Sequence, residues 1–211
     1  MERAIIFDLD GTLWDATGQA SEIWNRVFER HPEQNIRLTQ DDISGYMGKT
    51  MEEIGAILFP DQSNSVRETI MDEFGKEEVI YLREHGASLY DGVRETISLL
   101  KRKYDLYIVS NCQDGYVNSF LTAHKFEEDF KDIEMSGRTG KGKGENIRLL
   151  MERNRVTRAV YVGDTQGDEN AARFAEIPFI YAAFGFGKAI SPDGIIQSIR
   201  ELPTLLQKID F

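Results

Sequence analysis

Two carboxylates separated by a single residue are the first chemistry this chain offers. Asp8 and Asp10 stand in AIIFDLDGTL, residues 4–13, where a short run of β-forming apolar residues meets two acids and is then broken by Gly11 and Thr12. Successive side chains of a strand point to opposite faces, so acids at i and i+2 start on the same side. They also sit at the strand's carboxyl end, where open α/β sheets bind ligands. Two carboxylates about 4 Å apart repel by about 4 kcal/mol at an effective dielectric near 20, so a sheltered pair calls for a cation or a proton. Two more strand-like runs end in polar groups. Residues 106–109 (LYIV) lead into Ser110-Asn111, and residues 159–162 (AVYV) lead into Gly163-Asp164-Thr165, with Asp168 soon after. In a parallel sheet such tips emerge along one edge, so residues far apart in the chain converge. Ser110 and Asn111 supply a hydroxyl and an amide able to donate to phosphoryl oxygens. A third and fourth acid beside Asp8 and Asp10 repel one another unless a cation fills the site. Mg2+, which takes hard oxygen ligands and phosphate, suits it.

These tips need a sheet to hold them. The spacing of Ile23, Trp24, Val27 and Phe28 predicts a helix over 20–30, ended by His31-Pro32. A short helix capped by Thr39 or Asp41 follows, then helices over 51–58 and 64–84 separated by Pro60 and Asp61. Nothing in this part has a strand-turn-strand rhythm. It reads as a small all-helical insert, residues 15–88, or as helices that simply cover the sheet. Beyond Ser88, helices over 93–101, 116–124, 145–153 and 168–176 alternate with strands at 106–109, near Ile133, at 159–162 and at 179–182, the last completing the sheet. That alternation implies right-handed crossovers and a doubly wound, Rossmann-like parallel sheet of the α/β class, built from residues 1–14 and 89–211.

Bulk properties narrow the partners. Of 211 residues, 36 are acidic and 25 basic, a formal net charge of −11 that repels nucleic acid and anionic membranes. An anionic substrate therefore needs a local cation. Cys112 is the single cysteine, which excludes an intramolecular disulfide, and it is expected to be a small buried filler. There is no signal-like segment and no apolar run near the ~20 residues of a membrane span, so a cytoplasmic protein is expected. The GKT at 48–50 does not make a P-loop, because Ile43 occupies the first glycine position and no strand precedes it. His31, His85 and His124 have no ligand spacing, and the loop 185–188 reads as a connector, though it could line the rim of the site.

With these groups in this order, the chain resembles the haloacid dehalogenase-like hydrolase superfamily. The matching motifs are DxDGT at 8–12, Ser110-Asn111 after the second core strand, and GDTQGD at 163–168. The resemblance implies that Asp8 is the nucleophile toward phosphorus, that Asp10 is the general acid and base, and that Ser110 binds the phosphate with Asn111 beside it. It further implies that Asp8, Asp164 and the Asp10 carbonyl coordinate Mg2+, with Asp168 supporting them. The family also places a lysine ahead of a helix. Lys143 fits that place best and Lys141 less well, but the proline that usually follows is absent, since Gly142 and Gly144 flank Lys143. The insert resembles the family's small helical cap, with Tyr46, Met47 and Lys49 as candidates for touching the leaving group; core packing explains Tyr46 and Met47 equally. Asp10 argues against carbon–halogen cleavage, because dehalogenases lack an acid at that place. The expected activity is Mg2+-dependent hydrolysis of a small phosphorylated metabolite, as in the helical-cap subgroup of phosphoglycolate phosphatase and β-phosphoglucomutase. Alternatives are a sugar-phosphate mutase, or a phosphoacceptor or binding protein without turnover. The resemblance does not specify which ester is used, nor an oligomeric state.

Overall fold

A run of apolar residues with no polar face must be covered on both sides, and this requirement sets the architecture. The computed structural model describes residues 3–209 and 211. It opens with β1 (Arg3–Phe7), β2 (Trp14–Asp15), α1 (Thr17–Phe28), α2 (Gln40–Ser44), α3 (Met51–Leu58) and α4 (Asn64–His85). The chain returns through β3 (Ser88–Leu89), α5 (Val93–Leu100), β4 (Asp105–Ser110), α6 (Tyr116–His124), β5 (Asp132–Met135) and α7 (Ser136–Thr139). After these come α8 (Lys143–Asn154), β6 (Arg158–Gly163), α9 (Gln166–Ala175), β7 (Phe179–Ala182), β8 (Gly194–Ile196) and α10 (Leu202–Leu205).

Six parallel strands form one sheet in the order β5-β4-β1-β6-β7-β8. The chain winds outward from β1 through β4 and β5, then crosses to β6 on the other side, so the winding reverses beside β1. Alternation along each strand feeds two hydrophobic layers. Ile5, Phe7, Leu106, Ile108, Val160 and Val162 pack with α5, α6 and α10, whereas Ala4, Ile6, Tyr107, Val109, Ala159 and Tyr161 pack with α8 and α9. Each fully buried Ile or Phe here contributes roughly 1.5–3 kcal/mol.

The sheet has one strand more than the sequence suggests. β7 does not complete it, because β8 adds an edge strand of three residues, too short to show a periodicity. A second small sheet is also new: β2 pairs antiparallel with β3, Trp14 opposite Leu89, tying together the two ends of the helical insert. The glycine- and lysine-rich stretch after β5 contains the short α7 rather than loop alone. Helix α1 begins at Thr17, earlier than its apolar stripe predicts, because Asp15 Oδ1 accepts hydrogen bonds from the Thr17 N–H (2.9 Å) and hydroxyl (2.5 Å).

Helices α1 to α4 build their own cluster from residues such as Ile23, Trp24, Phe28, Ile54 and Phe74, with Trp24 stacked on Phe74 at 4.7 Å. α4 serves both parts. Ile70, Met71 and Phe74 belong to the insert's cluster, whereas Leu82 joins the core layer and the Ser119 hydroxyl donates to the Val79 carbonyl at 2.8 Å. Thr50 of the GKT stretch caps α3, its hydroxyl accepting from the Glu53 N–H while the Glu53 carboxylate accepts from the Thr50 N–H, so the segment is a helix start. No helix among the described residues is long and apolar enough to cross a membrane.

Candidate active site

Asp8, Ser110 and Asp164 lie at the carboxyl ends of the adjacent strands β1, β4 and β6, at the point where the winding reverses. The Asp8 N–H continues the ladder, donating to the Val162 carbonyl at 2.8 Å. Gly11 explains part of the DxDGT pattern. Its φ is +81°, and a Cβ there would stand 2.3 Å from Asp164 Oδ2, so only glycine lets the turn after β1 close against the tip of β6. Gly185 covers Asp164 from the other side, where a Cβ would come within 2.3 Å of the Asp164 Cβ.

One buried ammonium serves several buried acids. Lys143, at the start of α8, donates to Asp8 Oδ1 at 3.0 Å and to Asp168 Oδ1 at 2.5 Å. Burial pulls its pKa down, but the charges of Asp168 and Asp8 outweigh that, and the net shift is upward. Asp168 has both oxygens engaged: its Oδ2 accepts from the Asp164 N–H, the Thr165 N–H and the Thr165 hydroxyl. Asp164 Oδ2 accepts from the Phe186 and Gly187 N–H groups at 2.8 and 3.3 Å, whereas its Oδ1 is buried with no hydrogen-bond partner among the described residues. Oxygens of Asp8, Asp164 and Asp168 lie within 4.8 Å of one another. Three carboxylates against one ammonium leave two negative charges when all are ionised. Burial and the Asp168 charge accordingly push the Asp8 carboxyl well above its usual range, against the pull of Lys143. Burial and Asp168 likewise push Asp164 up to about 7, although the Phe186 and Gly187 amides oppose the shift. A hard oxygen donor set, an orphaned carboxylate oxygen and a deficit of two charges fit a divalent cation such as Mg2+.

Asp10 is treated differently. β1 ends at Phe7, so strand alternation stops before Asp10, and the two carboxyls take different partners rather than sharing one environment. Asp10 Oδ1 accepts from the Trp14 indole N–H at 2.8 Å and the Tyr116 hydroxyl at 2.9 Å. Burial raises its pKa to about 6, against those two donors and Lys143. Neither Trp14 nor Tyr116 carries a sequence signal, since both read as core aromatics.

A cavity of about 50 Å³ joins Asp8, Asp10, Ser110 and Asn111 of the core to Tyr46, Met47 and Lys49 of the insert. Ligand pockets run to roughly 300–1,000 Å³, so this cavity is small beside them. A larger groove of about 710 Å³ runs outside, along α3, α4 and Gln113-Asp114, but it holds none of the converging carboxylates. Tyr46 and Met47, half-buried, also pack on the insert's cluster, while Lys49 is exposed. Asn111 has both ends of its amide engaged, donating to the Gly48 carbonyl at 2.8 Å and accepting from the Ser136 hydroxyl at 2.9 Å. The Asn111 side chain thus ties the core to the insert's loop while lining the cavity, with one of its two amide hydrogens left over. Of the two lysines Lys143 is the one that reaches the carboxylates, whereas Lys141 is exposed and, among the described residues, its side chain joins no hydrogen bond or ion pair of the site. Cys112 is half-buried; it packs against the core layer and also lines the cavity. The loop 185–188 does more than connect, since its backbone amides hold Asp164.

A doubly wound sheet with an inserted helical module, bringing carboxylates and a lysine to its switch point, defines a class of phosphoryl-handling hydrolases. The chain belongs to the haloacid dehalogenase-like hydrolase family, whose family model matches residues 5–182, and it is a phosphatase-type enzyme. A phosphoglycolate phosphatase of Xanthomonas campestris is 26% identical over 189 residues, covering 87% of this chain and 84% of that protein. A solved haloacid dehalogenase-like hydrolase of Bacteroides fragilis is 27% identical with a TM-score of 0.82, over 94% of this chain and 98% of that one. CbbY of Rhodobacter sphaeroides, solved in complex with phosphate, shares the fold at a TM-score of 0.80 and 20% identity, over 96% of each chain.

Proposed function

We propose that this enzyme is a Mg2+-dependent phosphatase that hydrolyses a small phosphate monoester through an aspartyl-phosphate on Asp8, with Asp10 as general acid and base. The observation that carries the reading is the division of labour between two aspartates two residues apart. Asp8 is held by a buried ammonium at 3.0 Å, and Asp10 is held by neutral donors with a pKa of about 6.

Asp8 Oδ attacks phosphorus in line as the bond to the leaving oxygen breaks, and the Asp10 proton passes to that oxygen, releasing the alcohol. Asp10, now ionised, takes a proton from water as the water attacks the aspartyl-phosphate, giving inorganic phosphate and free Asp8. Lys143 offsets charge on Asp8 throughout, and the Ser110 hydroxyl, which lines the cavity, would donate to a phosphoryl oxygen. Mg2+ would be held by Asp8, Asp164 and the Asp10 carbonyl. When bound, it withdraws charge from the phosphoryl oxygens so that an anionic nucleophile can approach an anionic ester. Asp168 orients Lys143 and the backbone at Asp164.

The test is phosphate release from small phosphate esters, phosphoglycolate and an aryl phosphate included, with Mg2+ and with chelator. The reading expects inorganic phosphate only with the metal. An isomerised sugar phosphate without phosphate release would instead indicate a mutase, and a stable phosphoprotein without turnover a phosphoacceptor.

A further inference from the structure

One oxygen of Asp164 is open and the other is closed, and the closure is built by residues that the chemistry above does not use. Oδ2 accepts from the Phe186 and Gly187 N–H groups, which fill both of its lone-pair sites. The space around it is filled as well: a Cβ on Gly11 or on Gly185 would stand 2.3 or 2.5 Å from that oxygen. Oδ1, by contrast, is buried without a hydrogen-bond partner among the described residues. Asp164 therefore offers a cation one oxygen rather than two.

The two amides belong to residues 183–193, the connection from β7 to β8, and two side chains pin it. Tyr181 of β7 donates its hydroxyl to the Gly187 carbonyl at 2.8 Å, on the residue whose own N–H reaches Asp164. Glu169 of α9, a charged group with 4% of its surface exposed, turns both oxygens to the same loop. Its Oε2 accepts from the Ile190 N–H at 2.9 Å, which Gln166 shares, and both oxygens accept from the Ser191 N–H at 3.1 and 3.2 Å. The preceding residue, Asp168, accepts from the Asp164 N–H. The first turn of α9 thus holds Asp164 twice, its backbone through Asp168 and its side chain through Glu169 and the loop. Mg2+ keeps several waters and takes few carboxylate oxygens in near-octahedral geometry, whereas Ca2+ accepts roughly six to eight oxygens and bidentate carboxylates. We infer that Glu169 and Tyr181 are positioning residues for this ligand: they hold the loop amides on Asp164 Oδ2, leave Oδ1 alone to a cation, and so favour Mg2+ over Ca2+. This rests on the reading above that Asp164 holds the cation, and it adds two residues outside the reacting set.

The experiment measures the rise of Tm with MgCl2 and with CaCl2, without substrate, in the wild type, Glu169→Ala and Tyr181→Phe, which gives the affinity of each protein for each cation. Each substitution should weaken Mg2+ by about tenfold or more, the usual loss when a hydrogen bond behind a metal ligand is removed. Ca2+ should weaken by less than about threefold, because a freed second oxygen suits it, so the ratio of the two affinities falls several-fold. Tyr181→Phe keeps the ring in its layer and loses only the hydroxyl, so it decides the matter even if Glu169→Ala does not fold. A lower Tm in chelator with an unchanged Mg2+ affinity in Tyr181→Phe would mean that the loop is merely packed, and it overturns the inference. An equal loss of both cations overturns it too, as does a wild type whose Tm responds to neither. A wild type that binds Mg2+ and shows these shifts in its variants, yet releases no phosphate from any ester, refutes the phosphatase reading and leaves the inference standing.

Discussion

The surroundings of Asp8 and Asp10 differ more than their positions in the chain suggest. Around Asp8 everything is charge: Lys143 at 3.0 Å, with Asp164 and Asp168 close by. Around Asp10 the donors are neutral, an indole and a phenol contributed by Trp14 and Tyr116. A group balanced by fixed charge suits nucleophilic work, because it can stay ionised beside a bound cation. A group held by neutral donors, with a pKa near working pH, suits moving a proton. The same side chain is thus given two tasks by its neighbours. The sharpest break of that comparison is a pair of amides. Asp8→Asn removes the nucleophile and should lower kcat by at least about 10⁴-fold. Asp10→Asn removes a proton carrier and should lower it by about 10²–10⁴-fold. Single-turnover measurements should show no phosphoprotein in the first case and slowed formation and breakdown in the second. Equal losses with phosphoprotein in both would merge the two roles.

The charged region depends on one ammonium. Lys143→Ala leaves Asp8 and Asp168 facing each other with nothing between them, and uncompensated buried charge costs about 3–5 kcal/mol. In a chain of this size that is a fall in Tm of about 10 °C or more, read by calorimetry, together with loss of turnover. Lys141→Ala should leave Tm and kcat close to wild type, since that side chain is exposed. A similar effect of the two substitutions would contradict the proposed role of Lys143.

Much of the charged region was legible before the fold was seen. Asp8, Ser110 and Asp164 each end a run of buried β-formers, and parallel strands bring such tips to one edge. Lys143 was half legible: the sequence places a lysine ahead of α8, but only the register of that helix separates it from Lys141. The neutral region was nearly silent. Trp14 and Tyr116 look like the core aromatics they also are, with edge-on ring contact at 5.6 Å. The Phe186 and Gly187 amides that hold Asp164 are backbone groups, which residue type does not announce. Nothing in the sequence announces that the Asn111 amide also donates to the loop at Gly48. In the fold, β8 and the β2–β3 ribbon were missed because strands of two or three residues carry no periodicity.

Removing the metal should weaken the charged region in a pH-dependent way. Unfolded carboxyls ionise near pH 4, whereas folded Asp10 and Asp164 hold their protons to about 6 and about 7, and Glu78 to about 8. The unfolded chain therefore sheds protons first, and stability in chelator should decline as pH rises from about 4 through 7, with Glu78 extending the decline toward 8. Mg2+ at about 100 times its dissociation constant adds about 2.7 kcal/mol and should flatten the part due to Asp164 while leaving the part due to Glu78. Tm against pH, with chelator and with Mg2+, measures both. Identical curves would remove the cation from the charged region.

The smallest expected effect sharpens the neutral region. The Tyr116 hydroxyl donates to Asp10 at 2.9 Å and favours its ionised form. Tyr116→Phe deletes that donor while keeping the ring against Trp14, so Asp10 should become a weaker acid. The first half-reaction uses the protonated form, which places a descending limb of kcat/KM near pH 6 in the wild type, and that limb should move upward by up to about one unit in the variant, the worth of one hydrogen bond of about 1 kcal/mol. The second half-reaction uses the ionised form, so the rising limb for breakdown of the phosphoprotein should move in the same direction. A general loss of activity with both limbs in place would mean that Tyr116 only fills space, and that Asp10 takes its acidity from burial and Trp14 alone.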